Sequence, residues 1–138
     1  MKLLKIIPAA VCAAAILCSL NAWAGDLNGD AALCQIVLDR SGASKQEWNR
    51  SAKAGMTLED FLLSKLIIDR LNQPDGDLTG VYRMRKAGRT YEKICEAMNI
   101  QWPPILKEFN DQVDQMKKDA EAQGLTMWRL NQNLKTTD

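Results

Sequence analysis

The chain has 138 residues, with 18 Lys and Arg against 17 Asp and Glu and a formal net charge of +1. This balance gives no indication of a strongly charged partner such as a nucleic acid. The chain has no histidine. This excludes Ser-His-Asp and Cys-His nucleophiles, His-ligated zinc or copper and c-type haem attachment. Because the chain also has no Cys-x-x-Cys and no Gly-rich phosphate loop, we expect neither a cofactor nor a metal.

The first 24 residues have the pattern of a secretory signal peptide. Lys2 and Lys5 precede an apolar run over residues 6–20, and a small-x-small motif ends at Ala24, immediately before Gly25. The run has about 15 residues, whereas a membrane-spanning helix needs roughly 20. We therefore expect cleavage between Ala24 and Gly25 rather than an uncleaved anchor, and a periplasmic or secreted protein.

Cleavage would remove two of the four cysteines, Cys12 and Cys18. Lipidation of Cys18 is disfavoured because the bulky Leu17 occupies a position that requires a small residue in lipoprotein signals. In an oxidising compartment the remaining pair, Cys34 and Cys95, predicts a disulfide. Closing its loop of about 62 residues would stabilise the fold by roughly 4 kcal/mol in the chain-entropy model. The alternative is a pair of buried free thiols.

Residues 25–138 form a chain of 114 residues with a net charge of −1, which is the size of a single domain. Apolar residues recur at helical spacing throughout, so the fold class is all-α: a small bundle of about six short helices plus one longer C-terminal helix. The first stripe ends near Gly42 and contains Ala31, Leu33, Cys34, Val37 and Leu38.

Capping residues divide the middle of the chain into helices. Ser44 and Glu47 form a capping-box pattern that opens a short helix, which ends at Gly55. Thr57 is the predicted cap of the next helix, which reaches the breaker over residues 72–77. The apolar stripe of this second helix is Leu58, Phe61, Leu62, Leu66 and Leu71.

Four further helices are predicted in the last part of the chain. One ends at Gly88, and Thr90 is the predicted cap of the next. Two prolines at residues 103–104 suit the first turn of the longest helix, which Gly124 ends, and residues 125–134 form a last short helix. The stripe of the longest helix is Ile105, Phe109, Val113, Met116 and Ala120.

An internal repeat spans the middle helices. Residues 53–59, Lys-Ala-Gly-Met-Thr-Leu-Glu, recur 33 residues later at 86–92 as Lys-Ala-Gly-Arg-Thr-Tyr-Glu. Each unit is a short helix, a glycine stop, a threonine cap and a second helix. A third, decayed copy begins at residue 124. Two clear copies favour a compact bundle of two similar helical hairpins over a short solenoid, which needs three or more units.

Residues 88–100 resemble the Gly-x-Ser/Thr-x-x-x-Ile-Ala-x-x-Leu-Gly-Ile pattern of helix-turn-helix DNA-binding domains. The resemblance implies a tightly packed helical hairpin followed by a DNA recognition helix. The following helix begins with Trp102 and two prolines and then carries Glu108, Asp111 and Asp114, which would repel phosphate. Export would also separate the protein from the genome, so we expect the packing of this motif without a nucleic-acid partner.

Two acidic segments share part of the ligand pattern of calcium-binding loops. Residues 25–30 resemble the opening of such a loop, but Ala31 and Val37 stand where a glycine and a bidentate acid are required. Residues 75–80 fail in the same way, because Lys86 falls at the twelfth position. Neither segment is predicted to bind calcium.

The sequence favours a non-enzymatic binding or interaction module of unknown partner, either a protein or a component of the cell envelope. A carboxylate-dependent glycan hydrolase is the first alternative, with Glu59-Asp60 or Asp75-x-Asp77 as candidate acids. It requires two of Glu59, Asp60, Glu92 and Glu96 to face each other across a cleft, and it fails if all four lie exposed on convex helix surfaces. A chaperone-like helper with an open apolar groove between the hairpins is the second.

The candidate interaction surface combines three tryptophans with a basic cluster: Trp48, Trp102, Trp128, Arg83, Arg85, Lys86 and Arg89. Each tryptophan sits at a helix start, so packing on the core or a hinge is the favoured interpretation of these rings. The basic cluster is interpreted as a solvated face, with pairing to the acids of the long helix as one way to engage it.

Overall fold

A computed structural model describes residues 31–72 and 77–125. Four predicted features lie outside the described residues: the signal peptide with its cleavage site, the third repeat copy beyond residue 125, the last short helix and Trp128. Within these two ranges the chain forms helices and no strand, which confirms the all-α class. The helices are α1 over residues 31–41, α2 Lys45–Lys53, α3 Leu58–Arg70, α4 Leu78–Lys86, α5 Tyr91–Ala97 and α6 Trp102–Ala122.

The predicted caps are formed by hydrogen bonds at the helix starts. The Ser44 hydroxyl accepts from the Glu47 amide at 3.1 Å, and the Ser44 amide donates to the Glu47 carboxylate at 2.7 Å. Thr57 and Asp60 make the same reciprocal pair at the start of α3. The Thr90 hydroxyl accepts from the amide of the third residue of α5 at 3.2 Å. Each cap satisfies backbone donors that a helix start leaves free.

The two repeat copies have the same local structure. Gly55 ends α2 with φ +82°, and Gly88 ends α4 with φ +101°, a region that favours glycine. The pairs α2–α3 and α4–α5 are therefore the two predicted hairpins. Helix α4 packs on α2 and α3 as well as α5, and α6 packs on α3 as well as α5. These contacts between non-neighbouring helices make the array a compact bundle rather than a solenoid.

Helix α3 lies at the centre of the bundle. Every residue from 61 to 68 is buried, so α3 is enclosed on all sides and not only along its predicted stripe. The Phe61 ring is 0% exposed and meets Trp48 of α2 edge-on, with 5.2 Å between ring centroids. Lys65 is only 8% exposed, and its ammonium lies 3.2 Å from Glu47 and 3.0 Å from Asp69.

Helix α6 lies on the surface of the bundle with its predicted stripe turned inward. Ile105, Met116 and Ala120 are buried, and Phe109 and Val113 are partly buried against the core. Two ion pairs join α6 to neighbouring helices. Glu108 pairs with Arg70 of α3 at 3.2 Å, and Asp119 pairs with Arg40 of α1 at 2.6 Å. None of the helices within residues 31–72 and 77–125 has the length and apolar character needed to cross a membrane.

Candidate binding site

Trp48 does not belong to the candidate interaction surface. It is 1% exposed and packs against Phe61 in the core, so a partner has no access to it. The structure therefore agrees with the core packing that its position at a helix start favoured. Trp102, by contrast, is half-buried at the first position of α6 and lines two surface clefts.

The predicted basic cluster is exposed, but its partners differ from those expected. Arg83 pairs with Asp77 at 3.0 Å, and the Lys86 ammonium lies 5.6 Å from the centroid of the Tyr82 ring. Two acids of α6, Glu108 and Asp119, pair instead with arginines of α3 and α1. The expected pairing between the cluster and the long helix is therefore wrong, because the cluster lies at the end of α4, which has neighbours of its own.

The first cleft opens where the N-terminal parts of α3, α5 and α6 meet. Its volume is about 270 Å³. Trp102, Leu106 and Phe109 contribute one wall from α6, at positions i, i+4 and i+7 of the same helix face. Leu106 is 40% exposed and is the one large apolar side chain exposed among the described residues. The remaining lining residues are Glu59, Asp60, Leu63, Arg85, Thr90, Tyr91 and Glu92.

A second cleft, of about 390 Å³, adjoins the first. Glu92 and Trp102 line both clefts, so the two meet at these side chains. The second cleft extends past the turn between α5 and α6, where Asn99 adopts φ +57°. Its other lining residues are Glu96, Asn99, Ile100, Gln101 and Pro103. The helical hairpin that resembles a helix-turn-helix motif thus forms one side of both clefts.

Carboxylates dominate the charge around the clefts. Within the described part of the chain, no ion pair engages Glu59, Glu92 or Glu96. Arg85 is the one basic side chain of the first cleft, and its guanidinium lies 5.8 Å from the centroid of the Tyr91 ring. The lining therefore combines an apolar wall with an acidic rim.

Asp60 is already engaged by its neighbours. One carboxylate oxygen accepts from the Tyr91 hydroxyl at 2.7 Å, and the other accepts from the amide and hydroxyl of Thr57. Burial, and then the hydrogen bond to Asp60, raise the pKa of Tyr91 well above its usual value. The Tyr91 hydroxyl stays protonated at neutral pH and ties α5 to the start of α3.

The first cleft brings Glu59, Asp60 and Glu92 together, three of the four acids whose placement decides the hydrolase alternative. Glycoside hydrolysis needs one carboxylic acid kept protonated by an apolar surrounding and a second carboxylate free to act. Glu59 and Glu92 are exposed to solvent, and both oxygens of Asp60 are occupied by structural hydrogen bonds. Glu59 of α3 and Glu92 of α5 thus line one cleft from two different helices.

Cys34 and Cys95 are both buried and both are free thiols, so the structure does not contain the predicted disulfide. Compartment and cysteine number suggested the bond, but neither determines whether two sulfur atoms meet in the folded chain. Burial, which outweighs the nearby charge of Lys45, raises the pKa of Cys34 to about 11. Burial also raises the pKa of Cys95. Both sulfurs are therefore protonated and weakly reactive at neutral pH.

We expect a thiol reagent to label two cysteines per chain when protein lacking residues 1–24 is unfolded without a reductant. The native protein should react much more slowly, because both thiols are buried and protonated. Mass spectrometry of both samples measures the number of labels. Complete absence of label in the unfolded sample would show that the two cysteines are bonded in solution.

Comparisons with protein-family models, with curated proteins and with solved structures find no match to this chain. Within residues 31–72 and 77–125, no group of three or more His, Cys, Asp or Glu side chains is placed to hold a metal ion. The fold and the clefts define a small helical bundle with an open, partly aromatic surface site. Leu106 was absent from the sequence-based surface, although its spacing from Trp102 and Phe109 is visible in the sequence.

Proposed function

We propose that this protein is exported and acts as a non-enzymatic binding module, with the two adjoining clefts as its binding site. The observation that carries the proposal is the exposed Leu106 beside half-buried Trp102 and Phe109 in a cleft with a charged rim. Protein interfaces have this anatomy, with aromatic and apolar anchors at the centre and polar residues around them. The residues before Gly25 support export.

The openness of the two clefts supports a macromolecular partner. Sites for small molecules bury most of the surface of their ligand, whereas these clefts, of about 270 and 390 Å³, are open to solvent. They suit side chains of a partner better than an enclosed substrate. A general chaperone would need a larger apolar surface, whereas Leu106 is the one large apolar side chain exposed in the described ranges.

A photo-crosslinking amino acid at position 106 tests the proposal. The protein is recovered from the exported fraction, where its first residue is expected to be Gly25, and is irradiated with that fraction. The matched control places the crosslinker at exposed Lys117, about three turns farther along α6 and outside both clefts. We expect discrete adducts from position 106 that excess unlabelled protein competes away and that Trp102→Ala weakens.

Identical adducts from positions 106 and 117 would overturn the binding site. An enzymatic role is tested with the same preparation on cell-wall glycan. Release of reducing ends that Glu92→Gln abolishes, in a variant with unchanged helical circular dichroism, would establish the hydrolase instead.

A further inference from the structure

We propose that the partner presents a polypeptide segment in which a Lys or Arg side chain adjoins large apolar side chains. This inference rests on the proposed function and specifies the chemistry of the occupant. The basic side chain binds where the two clefts meet, between Trp102, Glu92 and Glu96. The apolar side chains bind in the first cleft, against Leu106 and Phe109.

The pairing pattern of the acids is the first argument. Away from the clefts, five acids of the described chain have a basic partner and four have none: Glu47, Asp69, Asp77, Glu108 and Asp119 are paired, and Asp39, Asp111, Asp114 and Glu121 are not. Glu59, Glu92 and Glu96 have no such partner in the described ranges, and these three line the clefts. The site therefore presents negative charge that the protein itself does not neutralise, and charge complementarity selects a basic occupant.

Helix dipoles reduce this charge without reversing it. Glu59 and Glu92 lie in the first turns of α3 and α5, where each helix start carries a partial charge of about +0.5. Arg85 adds one positive charge, but it is directed to the Tyr91 ring and to the carbonyl of Arg89. With Asp60 and Glu96 included, the carboxylates outnumber these positive contributions.

The junction of the clefts fits a long basic side chain. An aromatic ring face attracts a cation within about 6 Å of its centroid, and the methylene stem of Lys or Arg packs on apolar surface while its charged head stays in water. Trp102 offers the ring, and Glu92 and Glu96, which lie four residues apart on one side of α5, offer the carboxylates. A neutral or acidic segment would leave these carboxylates unpaired.

Fluorescence anisotropy with three labelled 12-residue peptides tests the inference. The first contains Leu and Lys, the second Leu and Glu, and the third Lys with Gly and Ser. We expect the Leu–Lys peptide to bind, with an affinity that falls between 50 and 200 mM NaCl because screening weakens the charge pairs. The other two peptides should bind at least about tenfold more weakly. The Leu–Glu peptide lacks the basic side chains, and the peptide of Lys, Gly and Ser lacks the large apolar side chains.

Matched variants locate the interaction. Glu92→Gln with Glu96→Gln should weaken the Leu–Lys peptide about tenfold and reduce the salt dependence. Asp111→Asn with Asp114→Asn removes the same charge from exposed positions of α6 outside the clefts and should leave the affinity unchanged. Leu106→Ala should weaken the same peptide without changing the salt dependence. Circular dichroism confirms folding of each variant.

Three outcomes would overturn the inference. Equal binding of the Leu–Glu peptide, weakened by Leu106→Ala, would show an apolar site without charge selection and would leave the proposed function intact. Equal losses in the two charge variants would show non-specific attraction. Absence of peptide binding, together with specific crosslinking from position 106, would show a partner of another chemistry, whereas absence of both would also remove the proposed function.

Discussion

Phe61→Ala is expected to lower the free energy of unfolding by about 3–5 kcal/mol, as large-to-small substitutions of buried aromatic residues do. Phe61 is fully buried in the central helix α3, and its ring contacts Trp48 edge-on. Truncation removes the transfer free energy of the ring and leaves a cavity that the six-helix packing fills only in part. Urea denaturation followed by circular dichroism measures the change.

Leu106→Ala is the control for this experiment. Leu106 is also a large apolar residue, but it is 40% exposed and borders a cleft. Its truncation should therefore cost below about 1 kcal/mol. A loss of similar size in both variants would contradict the placement of Phe61 at the centre of the core and Leu106 at the surface.

Glu47→Ala is expected to destabilise the protein by about 2–4 kcal/mol, because Glu47 has two roles. One carboxylate oxygen accepts from the Ser44 amide at the start of α2. The other accepts from the ammonium of Lys65, a side chain that is almost completely buried. The substitution removes a cap and leaves Lys65 with Asp69 as its remaining ion-pair partner among the described residues.

Glu47→Gln separates the two roles, since the amide oxygen can still accept from Ser44 but carries no charge for Lys65. Its loss of stability should fall between that of Glu47→Ala and zero. Arg83→Ala is the surface comparison: the Arg83–Asp77 pair is well exposed, so its removal should cost under about 1 kcal/mol. Chemical denaturation at pH 7 compares the three variants. Equal effects of Arg83→Ala and Glu47→Ala would contradict a stabilising role for the buried pair.

The helix boundaries could be predicted from the sequence because they depend on local hydrogen bonds. Ser44, Thr57 and Thr90 cap helices as predicted, and Gly55 and Gly88 end them. Each of these interactions joins residues within a few positions of one another. The repeat was visible for the same reason, since it repeats this local pattern.

The candidate site could be predicted only in part. Trp102 and Arg85 belonged to the predicted surface and line the first cleft, whereas Trp48 belonged to it and is buried. Glu92 was not part of that surface, and it faces both clefts. Spacing along one helix places a side chain on a face, but the neighbouring helices decide whether that face is covered.

The sequence by itself determined the helices, their caps and stops, and the division into two similar hairpins, because hydrogen bonds within a few residues and apolar periodicity specify them. It also carries the pattern that predicts export. The tertiary structure alone decided that α3 is enclosed on all sides with Lys65 inside, that Cys34 and Cys95 are separate buried thiols, and that Leu106 borders an acidic cleft. These features depend on contacts between residues distant in the chain, which form only when the helices pack together.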